Sequence, residues 1–282
     1  MCVHGKTNYK ITIRTTDKPH AGTTANVSIK MVGTLGESDR VPLKKQMAAC
    51  FGQDALDEFD VGPISDLGEL TSVEVGHDGT DPASRWHCHY VDVHCLGTGR
   101  AWHFPCYRWF AQDEDPFATW QTLEAASGRT TYEVTTQTSD IWWAGTDANV
   151  AVTLFGEKDG KETRSREKMA LNNSMKDNFQ QGAMDVFALP PMEDLGEIRR
   201  IELGHDGSGL GASWHCAYVT VHDLRTRRRY HIPSEEWFDE QTPPGKLWQT
   251  LEVTTVQGGQ EPPPARKGPD ALLFARGGAQ SL

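Results

Sequence analysis

The chain repeats itself. Asp66-Leu67-Gly68-Glu69 returns as Asp194-Leu195-Gly196-Glu197, and Gly76-His77-Asp78-Gly79 as Gly204-His205-Asp206-Gly207. Trp86-His87-Cys88 returns as Trp214-His215-Cys216, and Trp120-Gln121-Thr122-Leu123-Glu124 as Trp248-Gln249-Thr250-Leu251-Glu252. Each of these pairs lies 128 positions apart. Upstream, Ala21-Gly22-Thr23 returns as Ala144-Gly145-Thr146 after only 123 positions, so the second copy carries five extra residues in between. They are expected in the charged stretch Lys158 to Ser165. A unit of about 120 residues is far too long for a solenoid repeat and suits a complete domain. The reading is two domains, 1–126 and 127–256, joined through the polar hinge Ala126-Ser127-Gly128-Arg129. The Gly- and Pro-rich tail, 257–282, is expected to be disordered.

Within each copy the apolar period is two. Tyr9-Lys10-Ile11-Thr12-Ile13 alternates, as do Tyr132-Glu133-Val134 and Ala148-Asn149-Val150-Ala151-Val152. Clusters of Gly, Asp and Pro separate these runs. Short alternating strands with turn signals between them predict antiparallel β-sandwiches, an all-β fold. No Gly-rich phosphate loop follows a strand.

Charge and composition narrow the function. The formal net charge is −11, which argues against nucleic acid as a partner, because phosphate recognition needs clustered cations. The dense basic run Arg225 with Arg227-Arg228-Arg229 reads as a solvated strand edge. No apolar run approaches the roughly 20 residues needed to span a bilayer. The start, Met1-Cys2-Val3-His4, lacks the apolar core of a secretory signal. The six cysteines match no zinc-ligand spacing. These features place the chain in the cytoplasm with reduced thiols, either free or peripheral at a membrane or within an assembly.

Ala144-Gly145-Thr146-Asp147-Ala148-Asn149-Val150, then a Phe-x-x-Gly frame, Asp-Leu-Gly, Gly-His-Asp, the strand opening at Trp and Phe104-Pro105-Cys106-Tyr107-Arg108-Trp109 resemble the PLAT domain, the β-sandwich of lipoxygenases, some lipases and polycystins. The motifs run in family order in both copies. The resemblance implies two four-stranded antiparallel sheets per domain and a role in membrane or protein association, often with calcium. No lipoxygenase or lipase catalytic domain fits in the remaining residues, so no enzymatic activity and no small-molecule substrate are expected.

Calcium takes six to eight oxygen ligands from carboxylates, amides and carbonyls. By the resemblance, the second copy offers Gly145, Thr146 and Asp147 on one loop and Asp177, Asn178 and Gln180 on the facing one. Gln180 stands where the family often has Glu, which lowers the charge and puts affinity on the order of 10⁻⁵ M or weaker. In the first copy Thr24 replaces the aspartate, and the facing Ala49-Cys50-Phe51-Gly52 carries no chelating side chain. Calcium is expected only in the second domain.

Ile141-Trp142-Trp143 precede the calcium turn, where the first copy has Lys18-Pro19-His20. Tryptophan suits a membrane–water interface and equally a protein hot spot. These three residues are therefore the candidate membrane- or partner-binding tip. The Trp pairs present in both copies, 86/214, 109/237 and 120/248, are assigned to packing. His87 and His89 share a strand face and could begin a zinc site, but no third ligand is apparent, and the histidines are expected at the surface or in turns. The resulting reading is a non-enzymatic tandem adaptor. The alternative is a structural scaffold component without lipid or calcium binding.

Overall fold

Alternation along the first strand sets the architecture. Tyr9, Ile11 and Ile13 point inward and are fully buried, while the residues between them face out. In the computed structural model the described residues are 5–44, 50–80, 84–125, 128–174, 176–209 and 211–259. They form strands and turns, with no helix among them. The first copy contains β1 (Lys6–Thr15), β2 (Val27–Gly33), β3 (Gly36–Glu37), β4 (Val41–Pro42), β5 (Leu56–Ser65), β6 (Leu70–His77), β7 (Trp86–Cys95), β8 (Ala101–Phe110) and β9 (Trp120–Glu124). One sheet runs β5-β1-β7-β8; the other runs β3-β2-β6-β9, with β4 also on β2.

The second copy contains β10 (Arg129–Thr130), β11 (Tyr132–Thr138), β12 (Val150–Lys158), β13 (Lys161–Arg164), β14 (Met169–Ala170), β15 (Met184–Ala188), β16 (Met192–Glu193), β17 (Glu197–His205), β18 (Trp214–Asp223), β19 (Arg228–Phe238), β20 (Trp248–Glu252) and β21 (Thr255–Gln257). Its sheets run β15-β11-β18-β19-β21 and β13-β12-β17-β20, with β14 on β12. All pairings are antiparallel, so the all-β, tandem-sandwich expectation holds. With β4 on β2, β14 on β12 and β21 on β19, three of the sandwich sheets hold five strands where four were expected, and β10 and β16 pair in a separate two-stranded sheet. β21 also places Gln257 in a strand and not in the tail; residues 260–282, like Ala126 and Ser127 of the hinge, lie outside the described residues.

Repeated residues make repeated contacts. Trp86 Nε1 donates to Thr15 Oγ1 and Trp214 Nε1 to Thr138 Oγ1, both at 3.0 Å. The Tyr9 and Tyr132 hydroxyls accept Leu67 N–H at 3.0 Å and Leu195 N–H at 2.9 Å. Asp57 and Asp185 are buried and accept the N–H of Phe51 and Phe179 at 2.7 and 2.8 Å, a loop-anchoring role. Ser38 Oγ accepts Met31 N–H as Ser165 Oγ accepts Leu154 N–H, both at 2.9 Å. The offset thus climbs from 123 at Met31/Leu154 to 127 at Ser38/Ser165. Four of the five extra residues therefore extend the β12–β13 hairpin, where they were expected, and the fifth follows Ser165.

Of the paired tryptophans, Trp86 and Trp214 alone are fully buried. Trp109 and Trp237 lie edge-on to His87 and His215, at ring-centre distances of 4.9 and 5.0 Å. Trp120 and Trp248 are covered by Arg40 and Lys168, 3.8 and 4.2 Å from the ring centres.

The two sandwiches meet through the outer face of β7 and β8. His89 Nε2 donates to the Leu189 carbonyl at 2.9 Å, and the Tyr90 hydroxyl to Glu133 Oε1 at 3.0 Å. His103 Nδ1–H donates to Asp92 Oδ1 at 2.7 Å, with its Nε2 3.1 Å from Thr131 Oγ1. Arg227 Nη1 donates to Asp92 Oδ2 at 3.1 Å.

The structure corrects two expectations. His87, His89 and His103 are 2–3% exposed, and His77 and His205 are fully buried, so these five are not surface groups. His77 and His205 do bond their turns as expected, accepting Gly79 and Gly207 N–H while donating to the Phe110 and Phe238 carbonyls at 2.8 Å. The basic run is not simply a solvated edge either. Arg225 is held against Asp194 at 2.6 Å, and Arg227 bridges the domains to Asp92. For His89, His103 and Arg227 the cause is that strand alternation tells outward from inward, but not whether an outward face is covered; the others are held within their own domain.

Candidate functional site

The tip of each domain is the loop joining its first long strand to the next. In both copies the backbone follows one path. Ala21 N–H donates to the Lys18 carbonyl at 3.0 Å and Ala144 N–H to the Ile141 carbonyl at 3.2 Å. His20 and Trp143, which correspond, take positive φ values of 63° and 66°. Only the side chains differ. Lys18 Nζ is held 3.1 Å from His87 Nε2 and 4.3 Å from the centre of the Tyr107 ring. Burial, then Lys18, push the His87 pKa down to about 3, so its ring is neutral near pH 7 and its Nε2 accepts a hydrogen bond from Lys18 Nζ. At the second tip, Trp142 is 83% and Trp143 84% exposed. Ile141, next to them in the chain, is exposed as well. A non-glycine residue at positive φ, carrying a large ring into water, is an arrangement that fold stability does not ask for.

Behind this tip the Gly145-Thr146 turn packs on the facing loop. A Cβ on Gly145 would lie 3.0 Å from Gln181 N and Phe179 O, so any larger residue would push the facing backbone outward by a few tenths of an ångström. Thr146 N–H donates to the Phe179 carbonyl at 3.2 Å. Between the loops lies a cleft of about 270 Å³ lined by Thr146, Asp147, Asn172, Lys176, Asp177 and Asn178, among others. Four of the six expected calcium ligands therefore meet there. Gly145 and Gln180 are not on its wall; the Gln180 carbonyl instead accepts Ala183 N–H at 2.9 Å.

The donors in the cleft are oxygens. Asn178 Nδ2 is spent on Asn172 Oδ1 and the Asn173 carbonyl, both at 3.2 Å, while its Oδ1 is buried without a hydrogen-bond partner. An orphaned amide oxygen flanked by two exposed carboxylates fits a hard cation. The set is lean. No group of three or more His, Cys, Asp or Glu gathers for a metal among the described residues, and Lys176 adds an opposing charge.

One nearby acid is already committed. Asp206 accepts bonds from Asn149 Nδ2 at 2.7 Å and Ser208 Oγ at 2.6 Å, and these bonds hold its carboxyl far below the usual range. Asp78 and Asn26 repeat the pairing at 2.6 Å. This pair explains why Asn follows the Ala-Gly-Thr frame, and why Gly-His-Asp appears, in both copies. In the first copy the corresponding tip has Thr24, with Cys50 and Gly52 opposite; Ala49 lies outside the described residues.

Comparison with known proteins accords with this architecture. The PLAT/LH2 domain model matches residues 9–123 and 132–250. The chain is 34% identical over 252 residues to mouse lipoxygenase homology domain-containing protein 1 and 32% identical to the human protein, matching 86% of this chain in both cases. It spans 12% of the length of those relatives. Among solved structures, a calcium-dependent 11R-lipoxygenase is similar over 44% of this chain and 18% of its own, at 29% identity and a TM-score of 0.34. Among the described residues no helix is long and apolar enough to cross a membrane.

Proposed function

The chain belongs to the PLAT/LH2 domain family, and from that premise we propose that it is a non-enzymatic tandem adaptor of two domains, 1–126 and 127–256. In this reading the second domain docks on a membrane surface through Ile141, Trp142 and Trp143. One observation carries it: two adjacent tryptophans, each more than four-fifths exposed, sit on a loop whose backbone path the first domain reproduces without them. Indole rings partition to the membrane–water interface because the ring leaves water while its N–H stays hydrated. The formal charge of −11 opposes approach to anionic headgroups. A calcium ion held by Asp147, Asp177 and Asn178 beside the tip would offset that charge locally and could bridge to phosphate.

Cosedimentation of the intact chain with phosphatidylserine-containing vesicles, with and without calcium, tests the proposal. Binding that is lost in Trp142→Ala/Trp143→Ala supports it. Binding unchanged by that substitution would sink it. No binding at all would favour the scaffold alternative, which the ordered polar interface between the domains independently recommends.

A further inference from the structure

The repeat provides an internal control for one carboxylate. Asp17 and Asp140 open corresponding tips, and each accepts a hydrogen bond from the corresponding glutamine of its own facing loop. Gln53 Nε2 donates to Asp17 Oδ1 at 2.8 Å, and Gln181 Nε2 to Asp140 Oδ1 at 3.0 Å. In the first domain the carboxylate reaches further. Ser174 Oγ of the second domain donates to Asp17 Oδ1 at 2.7 Å, and the Ser174 backbone N–H donates to Asp17 Oδ2. Gln53 Nε2 also lies 3.0 Å from Ser174 Oγ. One side chain of the first domain thus fixes both the main chain and the side chain of Ser174.

Ser174 belongs to the loop that presents Asp177 and Asn178 to the cation cleft. That loop is a shared wall, because Asn172 lines both the cation cleft and a second cleft between the domains. Arg14, Asp17 and Asp54 line the interdomain side. Burial raises the Asp54 pKa, while the charges of Arg14 and Lys176 act in the opposite sense. Lys176 is therefore near enough to feel the first domain's carboxylate. Coulomb interaction is mutual, so Asp54 in turn offsets the lysine that opposes an ion in the cleft.

We propose that the first domain sets the calcium affinity of the second, with Asp17 as the positioning residue that holds Ser174 beside Asn172 and Asn173. This inference rests on the calcium reading given above. Coupling of this kind is reciprocal: whatever Asp17 adds to ion binding, the ion adds to domain docking.

Calcium chloride titrated into the intact chain by calorimetry tests it, using wild type, Asp147→Ala, Asp17→Asn and Ser174→Ala. Wild type should bind one ion and Asp147→Ala none. Asp17→Asn and Ser174→Ala should bind about five- to tenfold more weakly, the lower range of coupling between sites. Hydrogen exchange gives a second readout: calcium should protect the amides of Gln53 and Ser174 in wild type but not in Asp17→Asn. If Asp17→Asn does not fold, Ser174→Ala carries the test, since it removes a single hydroxyl. Wild-type binding that both variants reproduce overturns the coupling and leaves the calcium site standing. Absence of wild-type binding overturns both.

Discussion

Asp92 is the residue whose loss should most clearly separate the two domains. It is 7% exposed and holds one group from each side: Oδ1 accepts from His103 Nδ1 at 2.7 Å, Oδ2 from Arg227 Nη1 at 3.1 Å. Asp92→Asn preserves volume and one oxygen. With the His103 Nδ1–H kept toward residue 92 and Nε2 accepting from the Thr131 hydroxyl, the amide oxygen of the variant stays on His103. The new NH₂ then faces the guanidinium, donor against donor. The loss is one charge-assisted hydrogen bond, about 1.5–3 kcal/mol. The Arg227 side chain is 29% exposed, so water recovers part of its charge and the low end, about 2 kcal/mol, applies.

For a cooperative unit of 150–250 residues, each kcal/mol lowers Tm by roughly 2–4 °C. Scanning calorimetry should therefore show Asp92→Asn melting about 4–8 °C lower, with the single wild-type transition broadening toward two. A double-mutant cycle with Arg227→Met isolates the term: in that background Asp92→Asn should cost under about 0.5 kcal/mol. A single transition at the wild-type Tm, or a cycle without coupling, would refute the claim that this ion pair holds the domains together.

Acid should undo the same interface. Burial opposes the charged forms of Asp92 and Glu133, but His103 and Arg227 for the first, and His222 and Tyr90 for the second, outweigh it and hold both below the usual carboxylate range. Their contribution is complete above the unfolded value near 4 and is lost as pH falls through the lower folded values, so calorimetric transitions should separate below about pH 4 and not between pH 5 and 7. Trp142→Ala/Trp143→Ala should leave thermal stability within about 0.5 kcal/mol, since both rings are solvated; a larger loss would mean that the tip packs. Gly204→Ala should destabilise by about 2 kcal/mol or more in denaturant unfolding, because its Cβ would lie 2.2 Å from the Leu247 carbonyl oxygen, and Gly76→Ala, 2.2 Å from the Thr119 oxygen, should match it. NMR titration should show His87 neutral down to about pH 4, given a pKa near 3; a midpoint near 6 would place it in water.

What the sequence discloses follows from what repetition and alternation can encode. The constant offset and the period of two carry the fold, because the same inward residues must fill the same core twice. The tip residues were legible because a change of Lys18-Pro19-His20 to Ile141-Trp142-Trp143 inside a fixed frame has no packing reason. The cleft was legible in part: Asp147, Asp177 and Asn178 line it together, but Gly145 sits where two loops pack closely, and Gln180 is not on its wall. The interface stayed hidden because outward histidines on a strand read as solvated. A signal was nevertheless present. At outward positions where β18 has Ala217 and Thr220, β7 has His89 and Asp92. β7 is buried at nine of its ten residues, on both faces, while β18 keeps a half-buried outer face.

That asymmetry makes the docking directional. The first domain contributes His89, Tyr90, Asp92 and His103; the second answers with the Leu189 carbonyl, Thr131, Glu133 and Arg227. Different surfaces meet, a head-to-tail contact, and contacts of that type can propagate into arrays unless something stops them. Here the second domain keeps Tyr218 and His231 where the first has Tyr90 and His103 but lacks the other two groups. Ala217 cannot donate as His89 does, Thr220 brings no charge where Asp92 stands, and β21 closes the edge of β19. Divergence between the copies has therefore run in two directions at once. The first domain's outer face is committed to its neighbour and its tip lysine to His87, while the second domain's outer face stays half-buried and its tip is left to the solvent. Only the second tip carries exposed tryptophans, and its domain is the one whose facing loop is held by the other domain through Asp17 and Ser174.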